Sequence, residues 1–225
     1  MNSGLRETLI ARFKSEFRLK LFLLVALNLI VWTPYITLQR IHFFEPTEMP
    51  LIFLDRAIPF IPSAVWIYFS IYALMPIGPF LMNSREQIFR YSFGVVAISA
   101  SAALVFFFWP TICLRPSVPA ADPLYRALIS IDRPFHAFPS LHAAFAVFSC
   151  LCVVEVGRGL GWTNSSQIGF TIWTALILLA TLATRQHVLV DVAAGSLLGF
   201  AAYQICVRKS GSIITRRQPQ LSHET

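Results

Sequence analysis

Long apolar stretches alternate with short polar ones along the whole chain. Six stretches read as membrane-spanning helices: Leu21–Leu38, Ser63–Met82, Tyr91–Trp109, Leu141–Val156, Gln167–Ala183 and Val188–Val207. Each approaches the roughly 18–20 apolar residues that cross a bilayer as helix, the fourth and fifth being short. The apolar positions run on rather than alternating, which argues against strands. Inside hydrocarbon every backbone polar group must be paired within its segment, and a helix does that. The expected fold is therefore an all-α integral membrane protein with six transmembrane helices. It divides into a basic N-terminal segment (1–20), the six-helix domain (21–207) and a tail (208–225) expected to be disordered.

Composition agrees. Of 225 residues, 56% are hydrophobic and only 13% charged, and the twenty phenylalanines exceed what a soluble core of this size needs. Charge adds orientation. Six spans put both termini on one side, and twelve of the eighteen lysines and arginines fall there. The positive-inside rule then makes both termini cytoplasmic. The net charge of +7 is mostly this topology signal, and no aromatic-interleaved basic patch accompanies it, so nucleic acid is not an expected partner. The first twenty residues read as a solvated, orientation-setting tail, with a basic amphipathic surface helix as the alternative. They do not read as a cleavable signal peptide, because the polar region is long and no A-x-A site follows the apolar run. Cys113, Cys150, Cys152 and Cys206 show no disulfide or metal spacing and read as small apolar residues. No metal site and no cofactor are expected.

The chemistry concentrates on the side away from the termini. The stretch "TRQHVLVDVAAG", residues 184–195, holds Arg185, His187 and Asp191. On a helix His187 and Asp191 share one face. An ionisable group inside a span costs on the order of 2.5–3.5 kcal/mol, so a structural pair is the weaker reading. Asp191 can orient His187 through one ring nitrogen and leave the other free to attack. The third connection carries Arg115, Arg126, Arg133, His136, Ser140 and His142. Helices four and six both start on this side, near Ser140 and His187. A helix start offers free N–H groups and partial positive charge, so two of them with these cations predict a phosphate cradle. Taken singly, Ser140 also reads as an N-cap, His142 as an interfacial histidine and Arg115 as a snorkelling flank.

Together, Arg115-Pro116, then Pro139-Ser140-Leu141-His142, then His187-x-x-x-Asp191 resemble the three-motif signature of the type 2 phosphatidic acid phosphatase superfamily. The likeness spans about residues 105–200, and "DRPFHAFPSLHAAFAV" looks most like the inositol phosphorylceramide synthase branch. The resemblance implies a metal-independent six-helix lipid phosphatase or phosphotransferase. His187 would be the nucleophile that forms a phosphohistidine, Asp191 its orienting group, and His142 the acid and then base. Ser140, Leu141 and the following amides would hold phosphate oxygens together with Arg115.

The departures from the family pattern carry information. The family's lysine seven residues before its arginine is Phe108 here, and its arginine six residues before the histidine is Thr181. Arg185, Arg133 and His136 are the candidates to replace them. Fewer cations suit a singly charged phosphodiester, so the expected activity is transfer of a phospho-headgroup from a phospholipid to a lipid acceptor. The alternative is hydrolysis of a lipid phosphate or prenyl diphosphate with water as acceptor. A non-catalytic lipid-binding or translocating protein is the reading from another class. The site is expected on the non-cytoplasmic face, in a bacterial inner membrane ahead of a Golgi-like one. Residues 43–60, apolar and proline-rich, would roof it or form an ordinary surface loop. Gly195 and Gly199 predict close helix packing, and Pro76 and Pro79 a kink in helix two.

Overall fold

The computed structural model describes residues 3–41, 43–116 and 122–208. Among them, six helical segments are long and apolar enough to cross a membrane: Phe17–Leu38, Pro62–Leu81, Arg85–Phe108, Leu141–Gly159, Asn164–Ala183 and Leu189–Arg208. All six expected spans are present, with shifted ends. Caps explain several shifts. Ser84 accepts from the Gln87 amide and starts the third span before its apolar run, and Thr163 does the same for the fifth through Ser166. Residues 209–225, most of the expected disordered tail, lie outside the described residues.

The N-terminal segment differs from a solvated tail. Helix α1 (Ser3–Lys14) turns into α2 (Phe17–Leu38) at Glu16, whose φ is 51°. Both are tied to the end of the second span. Arg12 donates to the Leu81 carbonyl at 3.0 Å, and the buried Lys20 ammonium donates to the carbonyls of Arg12 and Phe80. These contacts satisfy the last carbonyls of two helices, which have no acceptor role within their own ladders.

The second span is interrupted at Ser70 rather than at its prolines. It comprises a 3₁₀ turn (Pro62–Ala64), α4 (Val65–Phe69) and α5 (Ile71–Leu81). Pro79 has no N–H for the Met75 carbonyl, and the Tyr91 hydroxyl of α6 (Arg85–Phe108) donates to it instead, at 2.9 Å. The interruption at Ser70 leaves the Tyr68 carbonyl facing α8 (Leu141–Gly159).

Helix α8 is the centre of the bundle, and most of its side chains are buried. It packs on α5, on α9 (Asn164–Ala183) and most closely on α10 (Leu189–Ala202). The closeness comes from two glycines. A Cβ on Gly195 would stand 2.2 Å from the Ser140 carbonyl oxygen, and one on Gly199 2.2 Å from that of Ala144. The expected small-x-x-x-small contact is thus a backbone-to-helix contact. The bundle's outer girdle is apolar, with Phe22, Phe93, Leu104 and Leu197 largely exposed, which suits a lipid surround.

One short strand pair breaks the all-helical pattern. β1 (Thr47–Glu48) runs parallel to β2 (Thr111–Ile112), with Thr47 opposite Thr111. It ties the connection after the first span to the start of the connection after the third. The next piece of that first connection, α3 (Phe53–Ala57), is fixed to the bases of α9 and α10. Asp55 accepts from the Leu189 amide at 2.7 Å, and Ile61 donates to the Ala183 carbonyl at 2.8 Å. Residues 43–60 are therefore anchored over the face on which α8 and α10 begin.

Candidate active site

Two histidines open onto one cavity. His142, Leu141 and His187 line a space of about 430 Å³ with residues of α2, α5 and α6. Lys20 and Gln39 also line it, and at about 1.5 Å of rise per residue they stand about 28 Å apart along α2. The cavity is apolar along its length and polar at the histidine end, where Asp132, Gln39, Tyr35 and His136 join the lining.

Each histidine has one ring nitrogen fixed by a backbone carbonyl. His187 Nδ1 lies 3.0 Å from the Ala137 carbonyl oxygen. His142 Nε2 lies 2.8 Å from the Tyr68 carbonyl oxygen, and its ring stacks on Tyr68 at 3.8 Å between centroids. A carbonyl only accepts, so these nitrogens carry the protons. The lone pairs are then on His187 Nε2 and His142 Nδ1.

Asp191 lies beside His187 as its spacing predicts, but the two do not share a helix face. His187 is not on the helix; α10 starts at Leu189, two residues later. The fully buried Asp191 carboxylate folds back over the helix start, where Oδ2 accepts from the Val188 amide at 3.0 Å. The same oxygen lies 3.6 Å from His187 Nδ1, and Oδ1 is buried without a hydrogen-bond partner among the described residues. The carboxylate thus supplies charge beside the ring, while the direct hydrogen bond is to Ala137.

The two helix starts are unequal. Asp55 and Asp191 take the Leu189 and Val188 amides, so the α10 start is occupied by carboxylates. This corrects the expectation that both helix starts face a phosphate. At α8, Ser140 is the N-cap, fully buried, with Oγ accepting from the Ala143 amide at 3.2 Å. The Leu141 and His142 amides have no acceptor within the helix and remain as donors. The starts are also joined, because Ser140 N–H donates to the Asp191 carbonyl at 3.1 Å.

The arginines divide as well. Arg185, at a φ of 54°, donates from its guanidinium to the Asp55 and Ile58 carbonyls at 2.6 and 2.8 Å, closing the end of α3. It braces the segment 55–58 in this structure. Arg115 donates to Gln186 Oε1 and to the Asp132 carbonyl, each at 2.5 Å, and lies 3.5 Å from the Asp132 carboxylate. Its Nε is buried with no hydrogen-bond partner among the described residues. Of the other candidates, Arg133 is exposed, and His136 is buried and stacked on Phe106 at 4.9 Å. Phe108 is 64% exposed, and Thr181 is fully buried, its hydroxyl donating to the Leu178 carbonyl and its own carbonyl accepting from the His187 amide at 3.3 Å.

All four cysteines are buried and unpaired. Cys113 lies beneath the Arg185 carbonyl, and burial, followed by the nearby Asp191 charge, pushes its thiol up to about 12. A thiol so raised is a poor nucleophile, in keeping with a packing role.

The sequence profile of the PAP2 superfamily matches residues 91–212. The chain belongs to that superfamily. Comparison with curated proteins and with solved structures gives no significant match. PAP2 proteins are phosphatases and phosphotransferases that act on lipid phosphates in membranes, and the six apolar helices found here fit that setting. The matched region contains every motif residue named above: Arg115, Ser140, Leu141, His142, His187 and Asp191.

Asp55, Asp132 and Gln186 are the polar partners that sequence spacing misses. Asp55 carried one signal, a lone acid inside the apolar run "PLIFLDRAIPF", where an ionisable group needs a reason. Asp132 and Gln186 carried none, since each gains its partner only through the fold.

Proposed function

We propose that this PAP2 protein transfers a phospho-headgroup from a phospholipid to a lipid hydroxyl through a phosphohistidine on His187. The observation that carries it is the pair of histidines lining one lipid-length cavity, each with a single nitrogen left to react. His187 Nε2 attacks phosphorus, and His142, protonated at Nδ1, gives its proton to the leaving oxygen. His142 then takes the proton of the acceptor hydroxyl as that oxygen attacks the phosphohistidine and the N–P bond breaks. The Tyr68 carbonyl keeps its hydrogen bond to Nε2 in both states of the ring. The Asp191 charge beside Nδ1 stabilises the cationic ring of the intermediate. The Leu141 and His142 amides and Arg115 receive the phosphate oxygens.

Charge supports a diester donor over a monoester. Two arginines, Arg115 and Arg185, stand among three carboxylates, Asp55, Asp132 and Asp191. A singly charged phosphodiester meets less repulsion there than a doubly charged phosphomonoester. The apolar cavity supports transfer, because it keeps water from the intermediate. The test is purified protein with a panel of phospholipids, phosphatidic acid and prenyl diphosphates, scored by mass spectrometry for new phospholipids and released phosphate. New phospholipid from a diester donor is expected. Rapid phosphate release with no transfer product in excess acceptor establishes the hydrolase reading instead. No turnover on any lipid, with binding intact, establishes the non-catalytic one.

The cation asymmetry supports a site on the non-cytoplasmic face, with both termini inside. A cysteine at Glu45, an exposed position in the connection after the first span, is expected to react with an impermeant thiol reagent in intact cells. The four native cysteines are buried and give little background. Labelling only after permeabilisation reverses the orientation.

A further inference from the structure

We infer that Asp132 sets the charge state of phosphate the site accepts, by holding Arg115 and offsetting its charge. This rests on the reading that Arg115 receives the substrate phosphate. Asp132 follows α7 (Pro123–Ile131) and lines the same cavity as His187. Its Oδ1 accepts from Tyr35 Oη at 2.8 Å and from Gln39 Nε2 at 2.6 Å, both from the end of the first span and the residue after it. Its Oδ2 lies 3.5 Å from Arg115 Nη2, and its carbonyl takes Nη1. Gln186, the residue before His187, holds Nη2 from the other side.

The carboxylate is thus fixed by two donors and does not need Arg115 to satisfy it. Arg115, in contrast, is anchored at both terminal nitrogens, and its buried Nε has no hydrogen-bond partner among the described residues. A phosphate held by Arg115 and attacked by His187 comes close to the Asp132 charge, which lines the same cavity. Each negative charge on the phosphate is then opposed once, so a dianion suffers twice what a monoanion does. The side chains of Arg115 and Asp132 are 13% and 15% exposed, where one extra charge at this range is worth about tenfold or more in affinity. Asp132 is a positioning and selectivity residue. It makes no bond to phosphorus and moves no proton.

The test uses the full chain in detergent with two small anions, dimethyl phosphate and methyl phosphate, and reads binding by ³¹P line broadening without turnover. The unmodified protein should bind the diester at least tenfold more tightly. Asp132→Asn should narrow the ratio to within about threefold by gaining affinity for methyl phosphate. Asp132→Glu, which keeps the charge, should hold the original ratio. Equal binding of the two anions by the unmodified protein overturns the inference, whether or not the variants fold. So does an unchanged ratio in a folded Asp132→Asn protein, and the phosphate-site reading then stands alone. Binding of neither anion removes both.

Discussion

Replacing His187 with alanine is expected to abolish turnover, by at least about 10⁴-fold, together with any phosphoprotein intermediate. Nothing else lining the cavity offers an unprotonated nitrogen fixed the same way, since His142 Nδ1 is assigned to proton transfer and His136 is stacked on Phe106. Intact-protein mass spectrometry after brief exposure to donor lipid should show a phosphate-containing adduct in the unmodified protein and none in the variant. Asp191→Asn should behave differently. The amide oxygen can still cap the Val188 N–H, so folding should change little, while the charge beside His187 Nδ1 is gone. A residual rate of about a hundredth is expected, with the adduct forming slowly. Wild-type-like turnover in His187→Ala would sink the mechanism at once.

Gly195→Ala is expected to damage both fold and activity. The added methyl would meet the Ser140 carbonyl oxygen at 2.2 Å and its carbon at 3.0 Å, and these are backbone atoms of a capped, fully buried helix start. The helices must separate, at the upper end of the roughly 1–3 kcal/mol that overpacking costs, or beyond. Separation also strains the Ser140 N–H to Asp191 carbonyl bond, which registers one histidine motif against the other. Gly199→Ala makes the same clash with Ala144, one turn further from the site. It should lower the melting temperature similarly and turnover much less. Equal losses of turnover in the two variants would contradict the role given to the Ser140–Asp191 contact. Unchanged melting in both would contradict the packing itself.

The spans were legible in the sequence because hydrocarbon imposes one rule on every residue in them, and a local window measures it. The histidines and Ser140 were legible because their motifs sit at helix starts. Asp191 was legible as a partner of His187 but not in its geometry. The i, i+4 spacing assumes a continuous helix, whereas Asp191 caps α10 and His187 precedes it. Arg185 read as a phosphate ligand because it is a cation next to the nucleophile. Its guanidinium is taken by carbonyls of α3, a segment 127–130 residues earlier in the chain. The α10 start read as an open anion site for the same reason, since Asp55 arrives from that distant segment. The prolines of the second span predict a kink, and nothing along the chain marks the break at Ser70. The bundle resolves one of them with Tyr91 and breaks the helix at Ser70, presenting the Tyr68 carbonyl to His142. Apart from the local cap made by Asp191, the misses are long-range partners that pattern along the chain does not encode.

The bond between His187 and the Ala137 carbonyl joins positions 50 residues apart, and α8 and α9 lie between them. That spacing bears on timing. In the proposed mechanism His142 handles the proton and His187 attacks, and His142 is synthesised first, 45 residues before His187. The reactive constellation forms only when the last span docks and its glycines close on α8. A chain stalled or cut before that point carries the serine and first histidine of the site without its reactive imidazole. On the proposed mechanism, completion of the final membrane segment is therefore what completes the site.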